Sequence, residues 1–161
     1  MKYDVIIVGA GPGGIYSAYE LMKKCSDKKI AVFDSGYSLK KRHCPIDGEK
    51  VKACIKCKSC SIMSGFGGAG AFSDGKYNIT NDFGGTLYEY IGKKAATALM
   101  QYVDDINMAH GGEGTKMYST AGTNLKKVCL QNRLKLLNAS VRHLGTDINL
   151  VVLGQLYDEL K

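Results

Sequence analysis

A glycine-rich segment at residues 9–14 constrains the fold more than any other feature of the sequence. It reads Gly-Ala-Gly-Pro-Gly-Gly and follows an apolar, β-branched run at residues 3–8. Apolar side chains then recur at helical spacing through residues 15–25, and a second short strand pattern covers residues 30–33. A strand, a glycine turn, a helix and a second strand in this order predict one β-α-β unit. We expect the first strand to be buried, as in a parallel sheet.

The spacing of the glycines indicates what this turn can bind. Gly9, Gly11 and Gly14 match the pattern G-x-G-x-x-G. In that pattern the first glycine makes a tight turn, the second lets backbone approach a pyrophosphate, and the third lets helix and strand pack closely. The amino end of a helix also offers unpaired N–H groups to phosphates. The alternative is a strand–helix turn that holds no ligand.

An acidic residue stands where a dinucleotide site requires one. Asp34 follows the second strand, 20 residues after Gly14, and a carboxylate there accepts hydrogen bonds from ribose hydroxyls. Its charge disfavours the 2′-phosphate of NADP. The predicted cofactor contacts of this region are Gly9, Gly11, Pro12, Gly13, Gly14, Asp34 and Ser35.

A polar, cysteine-rich connection follows in residues 35–64. The spacing of residues 54–60 is C-x2-C-x2-C, with a Cys-Pro pair upstream. Four thiolates at such spacing predict a zinc or iron–sulfur site. Two alternatives stay open: redox-active thiols, which nearby lysines would favour as thiolates, and free or packing cysteines. The candidate ligands are Cys44, Cys54, Cys57 and Cys60.

A second glycine-rich segment occupies residues 64–76. We expect a loop over residues 65–85, with a short strand near residues 77–79. The successive N–H groups of the segment are candidates for an anion-binding nest. The alternative is a flexible linker. That alternative is disfavoured by two aromatic residues, Phe66 and Phe72, and by the turn sequence Ser73-Asp74-Gly75, which are not typical of a Gly/Ser linker.

Helical patterns dominate the rest of the chain. We expect helices from Thr86 to about residue 109, from residue 123 to about 138, and from about residue 146 to the end, with Thr86 and Glu89 forming a capping box. The prediction is a single domain over residues 1–161, divided into a β-α-β unit (1–35), a Cys/Gly-rich loop region (36–85) and a mostly helical part (86–161). Because few strands are visible, we expect an incomplete parallel sheet and an amino-terminal fragment of a longer protein.

Charge and composition limit the partners. The net charge is +7, and residues 38–58 are especially basic. A solvated surface is the favoured interpretation of that charge, ahead of an anionic ligand nearby. No nucleic acid is expected, because no recognition motif accompanies the basic residues. With no leader and no apolar stretch long enough for a bilayer, the sequence predicts a cytoplasmic protein without a membrane partner, whose cysteines form no structural disulfides.

Four features together resemble the FAD-dependent dehydrogenases of bacteria and archaea, within the glutathione-reductase-type flavoprotein superfamily. They are the amino-terminal turn, the Cys-Pro with C-x2-C-x2-C, the run 65–76 and the segment Arg-His-Leu-Gly-Thr-Asp at residues 142–147. The resemblance implies a Rossmann-like FAD/NAD(P)-binding fold in a two-domain flavoprotein that is longer than this chain. It also implies a loop near the flavin, with Gly67, Gly68 and Ser73 as contacts.

The expected function is therefore FAD-dependent oxidoreduction of an unidentified substrate or electron acceptor. NAD(P)H is a candidate electron donor, and no catalytic residue is predicted. Two alternatives stay open: a nucleotide-binding module without catalysis, and a small protein whose cysteine cluster binds metal.

Overall fold

In the computed structural model, which describes residues 1–161, the amino-terminal segment forms the predicted β-α-β unit. Strand β1 (Val5–Val8) leads into helix α1 (Pro12–Lys24), and strand β2 (Ile30–Phe33) follows. The two strands pair in parallel, with Val5 opposite Ile30 and Val8 opposite Phe33. The hydrophobic periodicity therefore predicted the type and order of these elements correctly.

Strand β1 is not buried on both faces as the sequence suggested. Val5 and Ile7 are half-buried, whereas Ile6 is 58% and Val8 87% exposed. The sheet has two strands, and α1 contacts both of them. A continuous apolar run predicts a strand covered on both sides, but only one side of this strand is covered.

Helix α1 has ordinary local reasons to form. Pro12 stands at its first position, where a missing N–H costs nothing. Lys23 and Lys24 lie in the last turn and complement the carboxyl end of the helix dipole. The buried side chains Ile15, Ala18 and Tyr19 recur at spacings of three and one, along one side of the helix.

The chain forms two compact units. The first contains residues 1–73 and 149–161, and the second contains residues 74–148. Besides the β-α-β unit, the first contains two short 3-10 helices, at Leu39–Lys41 and Gly68–Phe72, and most of the last helix, α5 (Gly145–Glu159). The division into two units does not test the sequence-based prediction of a single domain over residues 1–161.

The core of the first unit combines residues from its two chain segments. Val152 and Leu156 of the α5 segment are fully buried, as are Ile15 and Ala71. Asn149 is also buried, and its side-chain N–H groups donate to the carbonyl of Gly70 at 2.9 Å.

The second unit contains an antiparallel sheet that the sequence did not reveal. Its strands are β3 (Lys76–Ile79), β4 (Met117–Ser119) and β5 (Ser140–His143), in the order β3-β5-β4. Only the first of these was anticipated. Each strand has four residues or fewer, too short for a period-two pattern to stand out.

The first two helices predicted for the carboxyl-terminal half are interrupted or shorter, whereas the third, expected from about residue 146 to the end, is confirmed. The helices are α2 (Leu87–Ile91), α3 (Lys93–Asn107), α4 (Leu125–Gln131) and α5 (Gly145–Glu159), with a π-type turn at Met108–Gly112. The single helix expected from Thr86 is interrupted at Gly92, whose φ is +80°. No side chain caps α2, so the predicted capping box is wrong.

The fold is thus mixed α/β, with a small parallel sheet and a largely helical carboxyl-terminal part. None of its helices is both long enough and apolar enough to span a bilayer.

Candidate functional site

The glycine turn joins β1 to α1 as predicted. The N–H of Gly9 donates to the carbonyl of Phe33 at 2.7 Å, which extends the pairing of the two strands by one residue. Gly9 has a φ of +103°, a conformation that residues with a Cβ rarely adopt. The chain therefore turns sharply at the end of β1, and α1 starts at once.

The three fingerprint glycines have different surroundings. A Cβ on Gly14 would lie 1.9 Å from the carbonyl oxygen of Gly9 and 3.3 Å from Ile7 Cγ2, so Gly14 is needed for packing. A Cβ on Gly11 would have no atom within 4 Å, and the φ of Gly11 is −75°. Neither backbone conformation nor internal packing therefore requires glycine at position 11.

The amino end of α1 is open. Pro12, Gly13 and Gly14 form the first helical positions, where N–H groups have no intrahelical partner. No side chain caps the helix, and its first turn contains no acidic residue. A Cβ on Gly13 would also meet nothing within 4 Å. The turn thus presents unshielded N–H groups and partial positive charge to the space in front of it.

Asp34 lies beside the turn and is held by backbone. Its Oδ2 accepts the N–H of Ala10, and its Oδ1 accepts the N–H groups of Gly36 and Gly65, each at 2.8 Å. The N–H of Ala10 lowers the pKa of this carboxyl most, with Gly36, Gly65 and the charge of Arg42 acting in the same direction against partial burial. Asp34 is therefore an anion that accepts hydrogen bonds from both glycine segments.

The second glycine segment packs against the first. The N–H of Gly67 donates to the carbonyl of Ala10 at 2.8 Å, and a Cβ on Gly68 would lie 3.1 Å from Gly11 Cα. The structure therefore brings Gly67 and Gly68 to the turn, and as cofactor contacts both remain predictions.

The N–H groups of this second segment already have partners within the protein. Those of Gly65, Phe66, Gly67 and Gly68 donate to Asp34, Tyr37, Ala10 and Gly65, respectively. Four successive N–H groups are thus used internally, and they do not form the anion-binding nest that the sequence suggested.

Arg42 organises the second segment, and the sequence did not single it out. The side chain is only 5% exposed, and its guanidinium donates at 2.7–2.8 Å to four carbonyls. They belong to Ser61, Ile62, Phe66 and Gly68. The guanidinium also lies 4.8 Å from the centre of the Phe72 ring.

The basic run at residues 38–58 is consequently not uniform surface charge. Burial lowers the pKa of Arg42, whereas Asp34 and Cys60 act in the opposite direction. One signal was available: the chain has only three arginines among 22 basic residues. A planar guanidinium suits fixed, buried hydrogen bonding better than a lysine ammonium does.

A cavity of about 570 Å³ in the first unit reaches this region. Ala10 and Asp34 line it together with the following Gly36, Tyr37 and Ser38. Apolar residues of α1, β2 and the carboxyl-terminal segment contribute to the rest of its wall, together with Phe66, Ser26 and two lysines, Lys28 and Lys161. It thus combines a polar part at the end of β2 with an apolar part beside the sheet.

The two predicted serine contacts have roles in the protein itself. The carbonyl of Ser35 accepts the hydroxyl of Ser59 at 3.0 Å, and the hydroxyl of Ser73 donates to the carbonyl of Gly70 at 2.9 Å. As cofactor contacts, both remain predictions.

The cysteine cluster is not assembled into a metal site. All six cysteines are free thiols. Cys54 and Cys57 are exposed, whereas Cys44 and Cys60 are partly buried. No group of three or more His, Cys, Asp or Glu side chains is arranged to hold a metal ion. Residues 54–57 have no regular secondary structure that would fix the ligands.

Comparison of the chain with protein-family models, curated proteins and solved structures finds no match.

Proposed function

We propose that the first unit binds a dinucleotide at residues 9–14, that FAD is this dinucleotide, and that the chain belongs to a flavin-dependent oxidoreductase. The observation that carries the proposal is Gly11. Its φ suits any residue and an added Cβ would meet no protein atom, so neither backbone strain nor packing requires the glycine, and the open space lets a ligand approach the backbone closely. A pyrophosphate in front of a helix amino end is the ligand for which such a glycine serves.

The residues present fit the ADP half of the cofactor. The N–H groups of Gly13 and Gly14 would receive the pyrophosphate, since the helix leaves them without partners. A carboxylate offers about four acceptor positions, and three of those of Asp34 are occupied. The remaining one, on Oδ2, would accept a ribose hydroxyl.

The cavity beside Asp34 would take the adenosine part. Its polar end contains Ala10 and Asp34, and Tyr37 and Phe66 offer aromatic rings for a purine. Aromatic side chains with a few placed polar groups are typical of cofactor sites. The negative charge of Asp34 also disfavours a 2′-phosphate, which favours FAD or NAD over NADP.

FAD is favoured over NAD by the resemblance to flavoproteins in the amino-terminal turn. When bound, the flavin supplies the hydride or electron transfer, and the protein binds, orients and tunes it. The contribution of the chain's own residues is to hold the ADP half in place. NAD(P)H as electron donor, a cytoplasmic location and a Rossmann-like completion of the parallel sheet belong to the same proposal.

The test is equilibrium binding of ADP and FAD to the full chain and to Gly11→Val. The valine would occupy the space of the pyrophosphate, so we expect both ligands to bind the unmodified chain and neither to bind the variant. Gly154→Val is the matched control, because Gly154 also has open space at its Cβ position but lies within α5. Equal binding by Gly11→Val, or no binding by the unmodified chain, would refute the proposal.

The two-stranded parallel sheet favours a second candidate, a nucleotide-binding module without catalysis. The same titration separates the two. Tight FAD binding with reversible reduction of the bound flavin supports the oxidoreductase. If FAD binds no more tightly than ADP, the result supports the module.

A further inference from the structure

The second unit contains a concave site of its own. A cavity of about 740 Å³ lies among residues of α2, α3, α4 and the segments that follow β3 and α4. Every residue that lines it belongs to the second unit. Nothing in the proposed nucleotide function uses it.

The charge of this cavity is strongly one-sided. Its lining has four cationic side chains, Lys93, Lys126, Arg133 and Lys135. None of the four forms an ion pair. Asp82 is the only carboxylate of the lining, and its Oδ2 already accepts the backbone N–H of Asn138 at 3.0 Å. Four cations against one carboxylate leave the lining with an excess of positive charge.

An apolar wall lies beside these charges. Leu130, Leu134 and Leu137 line the same cavity and are exposed by 64%, 61% and 41%. Tyr88 adds an aromatic ring, with the ammonium of Lys93 at 5.5 Å from its centre. Exposed apolar side chains clustered in a concavity are typical of a binding surface.

The backbone also fixes the place of one cation at this cavity. Arg133 follows Asn132, the C-cap residue of α4, and has a φ of +59°. The N–H of Arg133 donates to the carbonyl of Leu130, and the N–H of Leu134 donates to the carbonyl of Cys129 at 2.8 Å. This left-handed ending is common at the carboxyl end of helices, and it leaves Arg133 and Leu134 in the lining of the cavity.

We propose that this cavity binds an amphipathic organic anion, with a carboxylate or phosphate head at the four cations and an apolar portion along the three leucines. A small inorganic anion would leave the leucines in water, and an apolar ligand would leave the cations unpaired. Only a ligand with both parts matches both walls.

The experiment is isothermal titration of the full chain with decanoate and with decyl phosphate, compared with acetate and inorganic phosphate. We expect both long-chain anions to bind and both short ones to bind far more weakly. The long-chain anion that binds more tightly shows whether the site prefers a carboxylate or a phosphate head group. Unchanged binding by Gly11→Val would place the site away from the nucleotide turn, so the outcome is independent of the proposed function.

Matched variants test the location. Lys126→Gln removes a cation of the lining, whereas Lys127→Gln removes the adjacent lysine of α4, which does not line the cavity. Loss of one charge-assisted hydrogen bond weakens binding about tenfold, so we expect this loss for the first variant only. Arg133→Gly also removes a charge but relieves the left-handed backbone, so the variant stays folded and should bind about tenfold more weakly.

Three results would overturn the proposal. They are no binding of either long-chain anion, equal losses in Lys126→Gln and Lys127→Gln, and capture by anionic phospholipid vesicles that depends equally on both lysines. The last would show that the leucines and lysines of α4 bind a membrane surface, rather than that the cavity holds one molecule.

Discussion

The two glycine-rich segments of the first unit look alike in sequence but differ in their surroundings. In residues 9–14, Gly11 has open space at its Cβ position and an ordinary φ. In the second segment, a Cβ on Gly65 would lie 2.4 Å from the carbonyl oxygen of Tyr37, and the N–H of Gly65 is bound to Asp34. Packing therefore requires glycine at position 65 but not at position 11, where the space at the Cβ position is open.

The difference shows that glycine content by itself does not identify a ligand site. What distinguishes the two segments is whether N–H groups and the space at Cβ are free. Arg42 and Asp34 occupy the carbonyls and N–H groups of the second segment, whereas no side chain caps the first. The second segment supports the first, because Gly67 donates to the carbonyl of Ala10.

The largest effect is expected from Arg42→Met, which tests whether the second segment depends on internal bonds. Removal of the guanidinium would leave four carbonyls without their donor. The free energy of unfolding should fall by about 3–5 kcal/mol, measured by urea denaturation. Lys41→Met, at the exposed neighbouring position, should change it by less than about 0.5 kcal/mol. Equal effects of the two variants would show that Arg42 does not hold the segment.

Gly65→Ala should come next. Its φ of +108° and the contact with Tyr37 both oppose a Cβ, so we expect a loss of about 2–4 kcal/mol in the free energy of unfolding. Gly48→Ala separates the two causes, because Gly48 has a φ of +78° but open space around its Cβ position. It should lose only about 1 kcal/mol. A loss at Gly65 no greater than that at Gly48 would remove the packing argument.

Asp34→Asn should have a smaller, pH-dependent effect. An amide accepts through one oxygen only, so at least one of the N–H groups of Ala10, Gly36 and Gly65 loses its acceptor. We expect a loss of about 1 kcal/mol at neutral pH, limited by solvent screening at this exposed side chain.

The sign of the pH dependence follows from the pKa of Asp34. It is lower in the folded chain than its ordinary value, chiefly because of the N–H of Ala10. The stabilisation is therefore complete above the unfolded pKa, about 3.9, and is lost as the pH falls through the folded value. The difference between the unmodified chain and Asp34→Asn, measured by urea denaturation at pH 6 and pH 3, should shrink at the lower pH. A difference that grows on acidification would contradict this.

The smallest effect on stability is expected for Gly11→Ala. Loss of a good N-cap residue and the lower entropy of the unfolded chain oppose each other, so the free energy of unfolding should change by less than about 0.5 kcal/mol. Binding of ADP should nevertheless weaken, because the methyl group lies where the pyrophosphate approaches. A large destabilisation without loss of binding would make Gly11 a packing residue like Gly65.

The local part of the fold was predictable and the distant pairings were not. The β-α-β unit, which includes residues 9–14, spans only the residues from Val5 to Phe33, so periodicity and glycine spacing reveal it. The pairing of Ile79 with Ser140 and the contact of Arg42 with Gly68 join residues that no local pattern connects.

The sequence by itself determined that a strand, a glycine turn and a helix meet at residues 5–24, because those preferences act between near neighbours. The tertiary structure decided which glycines have open space at their Cβ positions. It also decided that Asp34 accepts backbone N–H groups from both glycine segments, and that Arg42 is buried. The physical reason is that free space, burial and hydrogen-bond partners are set by residues far apart in the chain, and they exist only after the chain has folded.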